Sequence, residues 1–130
     1  MNKSLIPYFL YIFGTIAFTV YGQLILKWRI VKYGDLPERL TDKIIYLLKA
    51  LLDPFILSGL FAAFIASLFW MAAMTKFDVS HAYPIIVGGL VILTSVFAIV
   101  FLREPVGFLK IFGITLIVAG VYFLTEGSTR

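Results

Sequence analysis

The fold is decided by one apolar segment, IPYFLYIFGTIAFTVYGQLILKW (residues 6–28), which carries no charge before Lys27. A helix of about 20 apolar residues crosses the hydrocarbon core of a bilayer. The stretch from about Leu5 to Leu26 therefore predicts a spanning helix, and it is too long for a cleaved signal peptide. The whole chain is 62% hydrophobic and 14% charged, whereas soluble domains average about 45–50% and about 25%. We predict an integral membrane protein.

Three further stretches are long enough to cross a membrane and equally poor in charge. The predicted spans are residues 5–26, 54–74, 82–102 and 106–124. Together they predict an all-α integral membrane fold, with a single four-helix transmembrane domain over residues 1–130. The turns at 75–81 and 103–105 are short, and short turns join antiparallel neighbours. The last three spans are therefore predicted to pack as one up-and-down unit.

The first loop, residues 29–53, contains a helix of another kind. Apolar residues recur there at helical spacing, and charged residues occupy the other side. This pattern is typical of an amphipathic helix lying in the membrane interface. We predict such an interfacial helix at about residues 42–52, with Thr41 or Asp42 capping its start. The alternative is an early start of the second span.

Lys and Arg are unevenly distributed between the two predicted sides of the membrane. Eight lie on the side of the first loop and the turn at 103–105, and three lie on the side of the termini. Cytoplasmic loops of membrane proteins are enriched in these residues. We therefore expect residues 27–53 and 103–105 to be cytoplasmic and both termini to lie outside.

The residue types argue against several classes of function. Cys is absent and His81 is the single histidine, so the sequence predicts no metal site, no cofactor and no catalytic constellation. The net charge of +4 is modest and its charges lie in loops, which argues against nucleic-acid binding. We predict a protein that is not an enzyme.

A stripe of small and polar residues follows one side of the first span: Thr15, Thr19, Gly22, Gln23 and Lys27. Such a stripe faces either neighbouring helices or a water-filled cavity. Helix packing accounts for Thr15 and Gly22, whereas the Gln23 amide needs several hydrogen-bond partners. Lys27 either extends to the lipid headgroups or lies at the mouth of a cavity. Thr19, Gln23 and Lys27 are candidate substrate-binding residues.

The third span opens with HAYPIIVGG (81–89) and adds further candidates. Pro84 lies in the first turn if the helix begins near Ser80, and it bends the helix if the helix begins earlier. Tyr83 and, in the second span, Trp70 are either interfacial aromatic residues or residues of a cavity. We include both among the substrate-binding candidates.

Acidic residues are absent from the middle of every predicted span. Coupling to protons or cations needs a titratable group in the pathway, so the sequence argues against such coupling. The nearest carboxylate is Glu104, which follows Arg103 in a tight turn. Glu104 either pairs with Arg103 or Lys27 or belongs to the site, and Arg103 and Glu104 complete the substrate-binding candidates.

Gly113 and Gly120 are seven residues apart and share one face of the fourth span. Small residues permit close contact between membrane helices, either within one chain or between two chains. Four helices are few to build a path across about 30 Å of hydrocarbon. We predict an oligomer interface at these glycines, in a homodimer or in a heterodimer with a sister subunit.

An ordered set of short motifs resembles the drug/metabolite transporter superfamily in its four-helix form: GQLILK (22–27), AYP (82–84), EPV (104–106) and GITLIVAG (113–120). One branch of that superfamily, the small multidrug resistance transporters, keeps a glutamate where this chain has Thr19. The subunits of the 4-amino-4-deoxy-L-arabinose–phosphoundecaprenol flippase form a second branch. The chain is more similar to this branch, in which Trp70 also matches, although its first loop is longer.

The resemblance to the flippase subunits implies movement of a polyprenyl-phosphate-linked sugar, such as aminoarabinose, across a bacterial or archaeal cytoplasmic (inner) membrane. The partners would be a polyprenyl-phosphate lipid and membrane lipid. Lys27 and Arg103 would hold the phosphate, and Thr19, Gln23 and Tyr83 would bind the headgroup. The alternatives are an exporter of small metabolites or cationic drugs and a non-transporting membrane partner of a glycosyltransferase.

Overall fold

The computed structural model describes residues 6–128, so Lys3, Arg130 and the predicted helix start at Leu5 lie outside the described residues. The described part contains five helices: α1 Ile6–Tyr33, α2 Leu40–Leu51, α3 Pro54–Met74, α4 Val79–Phe101 and α5 Phe108–Ser128. α1, α3, α4 and α5 are long and apolar enough to cross a membrane. The all-α fold and the four predicted spanning helices are confirmed.

Several helix boundaries differ from the prediction. α1 continues past Leu26, and its last residue is Tyr33. Gly34 follows it with a φ of +86°, in the left-handed region that glycine adopts readily and that commonly terminates a helix. α4 begins at Val79, so Pro84 lies beyond the first turn, where proline cannot donate the usual helical hydrogen bond. α5 begins at Phe108, two residues later than expected.

α2 is a helix separate from α3, which rules out an early start of the second span. The predicted N-caps are wrong. α2 begins at Leu40 with Arg39 at the N-cap position, and no side chain caps its free N–H groups. Thr41 and Asp42 lie in the first turn, where a carboxylate interacts favourably with the helix dipole. The location of α2 in the membrane interface remains a prediction.

Asp53 joins the end of α1 to the start of α3. Its side chain caps α3 by accepting hydrogen bonds from the backbone N–H groups of Phe55 (2.8 Å) and Ile56 (3.4 Å). The same carboxylate accepts from Arg29 Nη2 (2.5 Å) and from the Tyr33 hydroxyl (2.5 Å). Asp53 is only 5% exposed. The Arg29 guanidinium, followed by the Tyr33 hydroxyl, holds the pKa of this carboxyl far below its usual range.

α1 packs against α3 through direct backbone contact. A Cβ placed on Gly22 would lie 2.8 Å from the carbonyl oxygen of Gly59, and one on Gly59 would lie 2.7 Å from Ile25 Cγ2. No side chain larger than glycine fits between the two backbones at this point. Small residues of this kind bring membrane helices together where the hydrophobic effect cannot.

α1 lies between α3 and α4, and α5 packs on the far side of α4. Gly89 of α4 faces Ile16 of α1, and Gly88 faces Val121 of α5. The predicted packing of the last three spans as one unit is therefore wrong for α3 and α4, whereas α4 and α5 are neighbours as expected. α3 and α4 are consecutive but make little contact, because α1 lies between them.

We expect Gly22→Ala to destabilise the protein by about 1–3 kcal/mol, since its methyl group would overlap a backbone oxygen that cannot rotate away. Unfolding of the purified protein in detergent measures the change. Gly127→Ala is the control, because a Cβ there meets open space in α5. Equal stability of the two variants would contradict the close contact between α1 and α3.

The lowered pKa of Asp53 predicts an acid-dependent loss of stability. The contribution of the carboxylate is present above its unfolded pKa of about 3.9 and is lost as the pH falls towards the lower folded pKa. Asp53→Asn should lower the free energy of unfolding at pH 7 and flatten its decline below about pH 4. Asp42→Asn, on the exposed first turn of α2, should keep the wild-type decline. Parallel pH profiles for wild type and Asp53→Asn would refute the assignment.

Candidate functional site

The stripe predicted on α1 is divided between two neighbouring helices. Gly22 faces α3, and the Thr15 hydroxyl donates to the carbonyl of Tyr11 (2.9 Å), so both serve helix packing. Gln23 faces α4 instead, and its Oε1 accepts a hydrogen bond from the Thr94 hydroxyl (3.0 Å). Thr19 lies one turn before Gln23 and is half-buried.

Lys27 and Glu104 line the same cavity, of about 310 Å³, between the end of α1 and the end of α4. Trp28, Val31 and Lys32 complete the α1 side, and Phe101 and Leu102 lie opposite. The proposed partners do not pair, since Glu104 forms no ion pair with Lys27 or Arg103. Lys27 forms no ion pair with any described residue. A cation in this position is available to an anionic ligand.

The turn after α4 positions Glu104. Arg103 has a φ of +55°, a left-handed conformation that is uncommon for residues other than glycine. The chain reverses there, and the Glu104 N–H returns to the carbonyl of Ala98 (3.2 Å), which also accepts from Leu102 (3.1 Å). After this turn, Glu104 lines the cavity together with residues of α1. Arg103 is exposed and does not line the cavity.

Trp70 and Tyr83 form a second group at the opposite end of the helices. Their ring centroids are 5.9 Å apart, with the edge of one ring towards the face of the other. Trp70 packs against the buried core, whereas Tyr83 is 56% exposed. Tyr83 and Thr94 are separated by about 16 Å along α4 at 1.5 Å per residue. The candidate residues thus form two groups, with Gln23 nearer to the Lys27 end.

The comparison with protein families identifies the class of this membrane protein. The profile of the EamA-like transporter family matches residues 6–126. The chain belongs to the EamA-like transporter family. This family is part of the drug/metabolite transporter superfamily, so the superfamily resemblance and the multi-pass membrane character are confirmed. No curated protein and no solved structure matched the chain.

The glycines predicted as an oligomer interface lie on an open face of this EamA-like transporter. A Cβ on Gly113 or Gly120 would meet nothing within 4 Å. The close contact between α4 and α5 is made at Gly88 and Val121 instead. Packing within the described chain therefore does not account for Gly113 and Gly120, and their role between chains remains a prediction.

Sequence reasoning missed Lys32 as a member of the site. Lys32 Nζ lies 4.0 Å from the centroid of the Trp28 ring, a cation–π arrangement. Lys27 and Val31, and likewise Trp28 and Lys32, are four residues apart, so all four share one face of the extended α1. The signal was present in the sequence, but it becomes visible only once α1 is continued past Leu26.

Proposed function

We propose that this EamA-like transporter is a subunit that moves a polyprenyl-phosphate-linked sugar across the cytoplasmic membrane. The observation that carries the proposal is the position of Lys27, which lines a cavity and has no ion-pair partner among the described residues. A phosphate group satisfies an ammonium group in such a position through charge-assisted hydrogen bonds. The resemblance of GQLILK and EPV to the flippase subunits supports the same substrate.

The distribution of acidic residues supports an anionic substrate. α1, α3 and α4 contain no Asp or Glu, and the single acid of α5, Glu126, lies near the end of that helix. Thr19 occupies the position at which the multidrug resistance branch keeps its glutamate. Proton-coupled export of cations would need such a group in the pathway. The spans offer hydroxyl and amide groups in its place.

Sugar hydroxyls would find polar partners along α1 and α4. Gln23 and Thr94 already share one hydrogen bond, and Gln23 is otherwise exposed. Tyr83 carries a second exposed hydroxyl, beside the ring of Trp70. These groups mark two ends of a route on which a headgroup could exchange hydrogen bonds, whereas the polyprenyl chain remains in lipid.

The orientation inferred from Lys and Arg completes the proposal. The end of α1, α2 and the turn at 103–105 would face the cytoplasm, where lipid-linked sugars are assembled. α2 would lie in the inner interface. A second subunit, identical or a sister chain, would pack on the open α5 face at Gly113 and Gly120.

We expect Lys27→Ala to lower the amount of lipid-linked sugar in the outer leaflet by about tenfold, because a hydrogen bond to a charged group contributes about 1.5–3 kcal/mol. Labelling of outer-leaflet sugar in cells that depend on this chain measures the effect. Lys49→Ala, an exposed lysine of α2 that lines none of these cavities, should leave transfer unchanged.

Arg103 needs two variants, since Arg103→Ala keeps the left-handed strain and Arg103→Gly relieves it. Equal losses in Arg103→Ala and Arg103→Gly, with rescue in Arg103→Lys, would assign the effect to the charge of Arg103. Wild-type transfer in Lys27→Ala and in both uncharged Arg103 variants would reject a phosphate-binding role for Lys27 and Arg103. If the chain alone instead confers resistance to toxic cations, the multidrug-export alternative replaces the flippase proposal.

The α5 interface predicts that Gly120→Leu abolishes dimer crosslinking, because the leucine side chain would separate two helices that meet at small residues. Crosslinking in membranes, with cysteines introduced on α5, measures the association. Gly127→Leu provides the control at another glycine in open space. Undiminished crosslinking in Gly120→Leu would place the contact on another surface.

A further inference from the structure

One face of α1 and the second half of α4 line three neighbouring cavities. A cavity of about 450 Å³ begins at Phe13 and reaches Phe101. It shares Tyr21, Leu24 and Phe101 with a second cavity of about 310 Å³. That cavity in turn shares Trp28, Phe101 and Leu102 with the Lys27 cavity. We name the three cavities together the α1–α4 groove.

The α1–α4 groove is elongated, and its α4 side runs from Leu93 to Phe101, about 12 Å at 1.5 Å per residue. Its α1 side runs from Phe13 to Lys32, about 28 Å at 1.5 Å per residue. A single extended lipid chain fits the shape of this groove better than a compact solute does.

The two ends of the groove differ in chemistry. The first two cavities are lined by apolar side chains and by Tyr21, whose hydroxyl is hydrogen-bonded to Ser58 Oγ (3.0 Å) on α3. The third cavity carries Lys27 and Lys32, and neither forms an ion pair with a described residue. Glu104 lines the same cavity, so the formal charge of the cavity is +1. An apolar channel that ends in excess positive charge is complementary to a lipid with an anionic headgroup.

One cavity elsewhere in the structure is larger than any single cavity of the groove. It lies between α1 and α3, has a volume of about 540 Å³ and includes Phe18, Phe61 and Ile65. It is lined by no charged residue. That cavity can accept an apolar chain but cannot distinguish a lipid phosphate from a neutral lipid. Charge complementarity therefore favours the α1–α4 groove.

We propose that the α1–α4 groove binds the chain of a polyprenyl phosphate along its length, with the phosphate between Lys27 and Lys32. The identity of the lipid rests on the proposed function, whereas the groove and its cationic end are features of the fold. Lys32 is the second cation at the phosphate, held at the mouth by the ring of Trp28. Phe101 forms the wall common to all three cavities.

Lipid binding to the purified full-length chain in detergent tests the proposal, with native mass spectrometry as the readout. The probes are undecaprenyl phosphate, undecaprenol and phosphatidic acid. Lys32→Gln should weaken binding of undecaprenyl phosphate by about tenfold and leave undecaprenol unchanged. Lys49→Gln, the matched lysine of α2, should change neither. Glu104→Gln removes the opposing charge and should strengthen binding of the phosphate.

Phe101 has a matched control for the apolar part of the groove. Phe101→Ala should weaken binding of both undecaprenyl lipids. Phe123→Ala is the control and should weaken neither. Phe123 matches Phe101 in exposure (70% against 71%), and each of the two packs on one aromatic neighbour. Both side chains lie on the helix surface, so both variants should fold.

Three results would overturn the assignment. They are equal affinity for undecaprenol and undecaprenyl phosphate, unchanged binding in Lys32→Gln, and binding of phosphatidic acid as tight as that of undecaprenyl phosphate. The last would assign the groove to bulk phospholipid. If binding follows the expected pattern but no lipid-linked sugar crosses the membrane, the groove stands and the transport proposal fails. If lipid-linked sugar crosses the membrane but Lys32→Gln and Phe101→Ala bind lipid like the wild type, transport stands and the groove fails.

Discussion

The backbone contact between Gly22 and Gly59 is the constraint on which the rest of the structure depends. Helices in lipid gain little from burying apolar surface, so they associate where small residues allow close packing. This contact holds α1 against α3, and Asp53 fastens the end of the same helix to the start of α3. Because one side of α1 packs on α3, its other side presents Gln23, Leu24 and Lys27 towards α4.

The spanning helices and the separate helix α2 could be predicted from the sequence, because length and apolar periodicity determine them. The order of packing could not. Loop length suggested that α3 and α4 are direct neighbours, but the fit of Gly22 to Gly59 and of Ile16 to Gly89 places α1 between them. Shape complementarity of this kind depends on pairs of residues far apart in the chain, which periodicity does not reveal.

The candidate site, too, could be predicted only in part from the sequence. The sequence singled out Lys27 and Glu104, which line one cavity, and Trp70 and Tyr83, which are in ring contact. The predicted topology already implied that these pairs lie at opposite ends of the spans, but it did not show that the ends of α1 and α4 line a common cavity. It also missed Lys32, because ending the first helix at Leu26 left that lysine in a loop. Because α1 continues to Tyr33, Lys32 belongs to this helix and is the second lysine that lines the groove.

The proposed function joins spans that carry no acidic residue in their middle to a cationic cavity at one end, which suits a lipid with an anionic headgroup. Reconstitution into liposomes tests this most directly, with a fluorescent polyprenyl-phosphate sugar in both leaflets and an impermeant quencher outside. We predict that quenching proceeds beyond the outer-leaflet fraction when the chain, with its sister subunit if one is required, is present. Quenching that stops at the level of protein-free liposomes would contradict the proposed function.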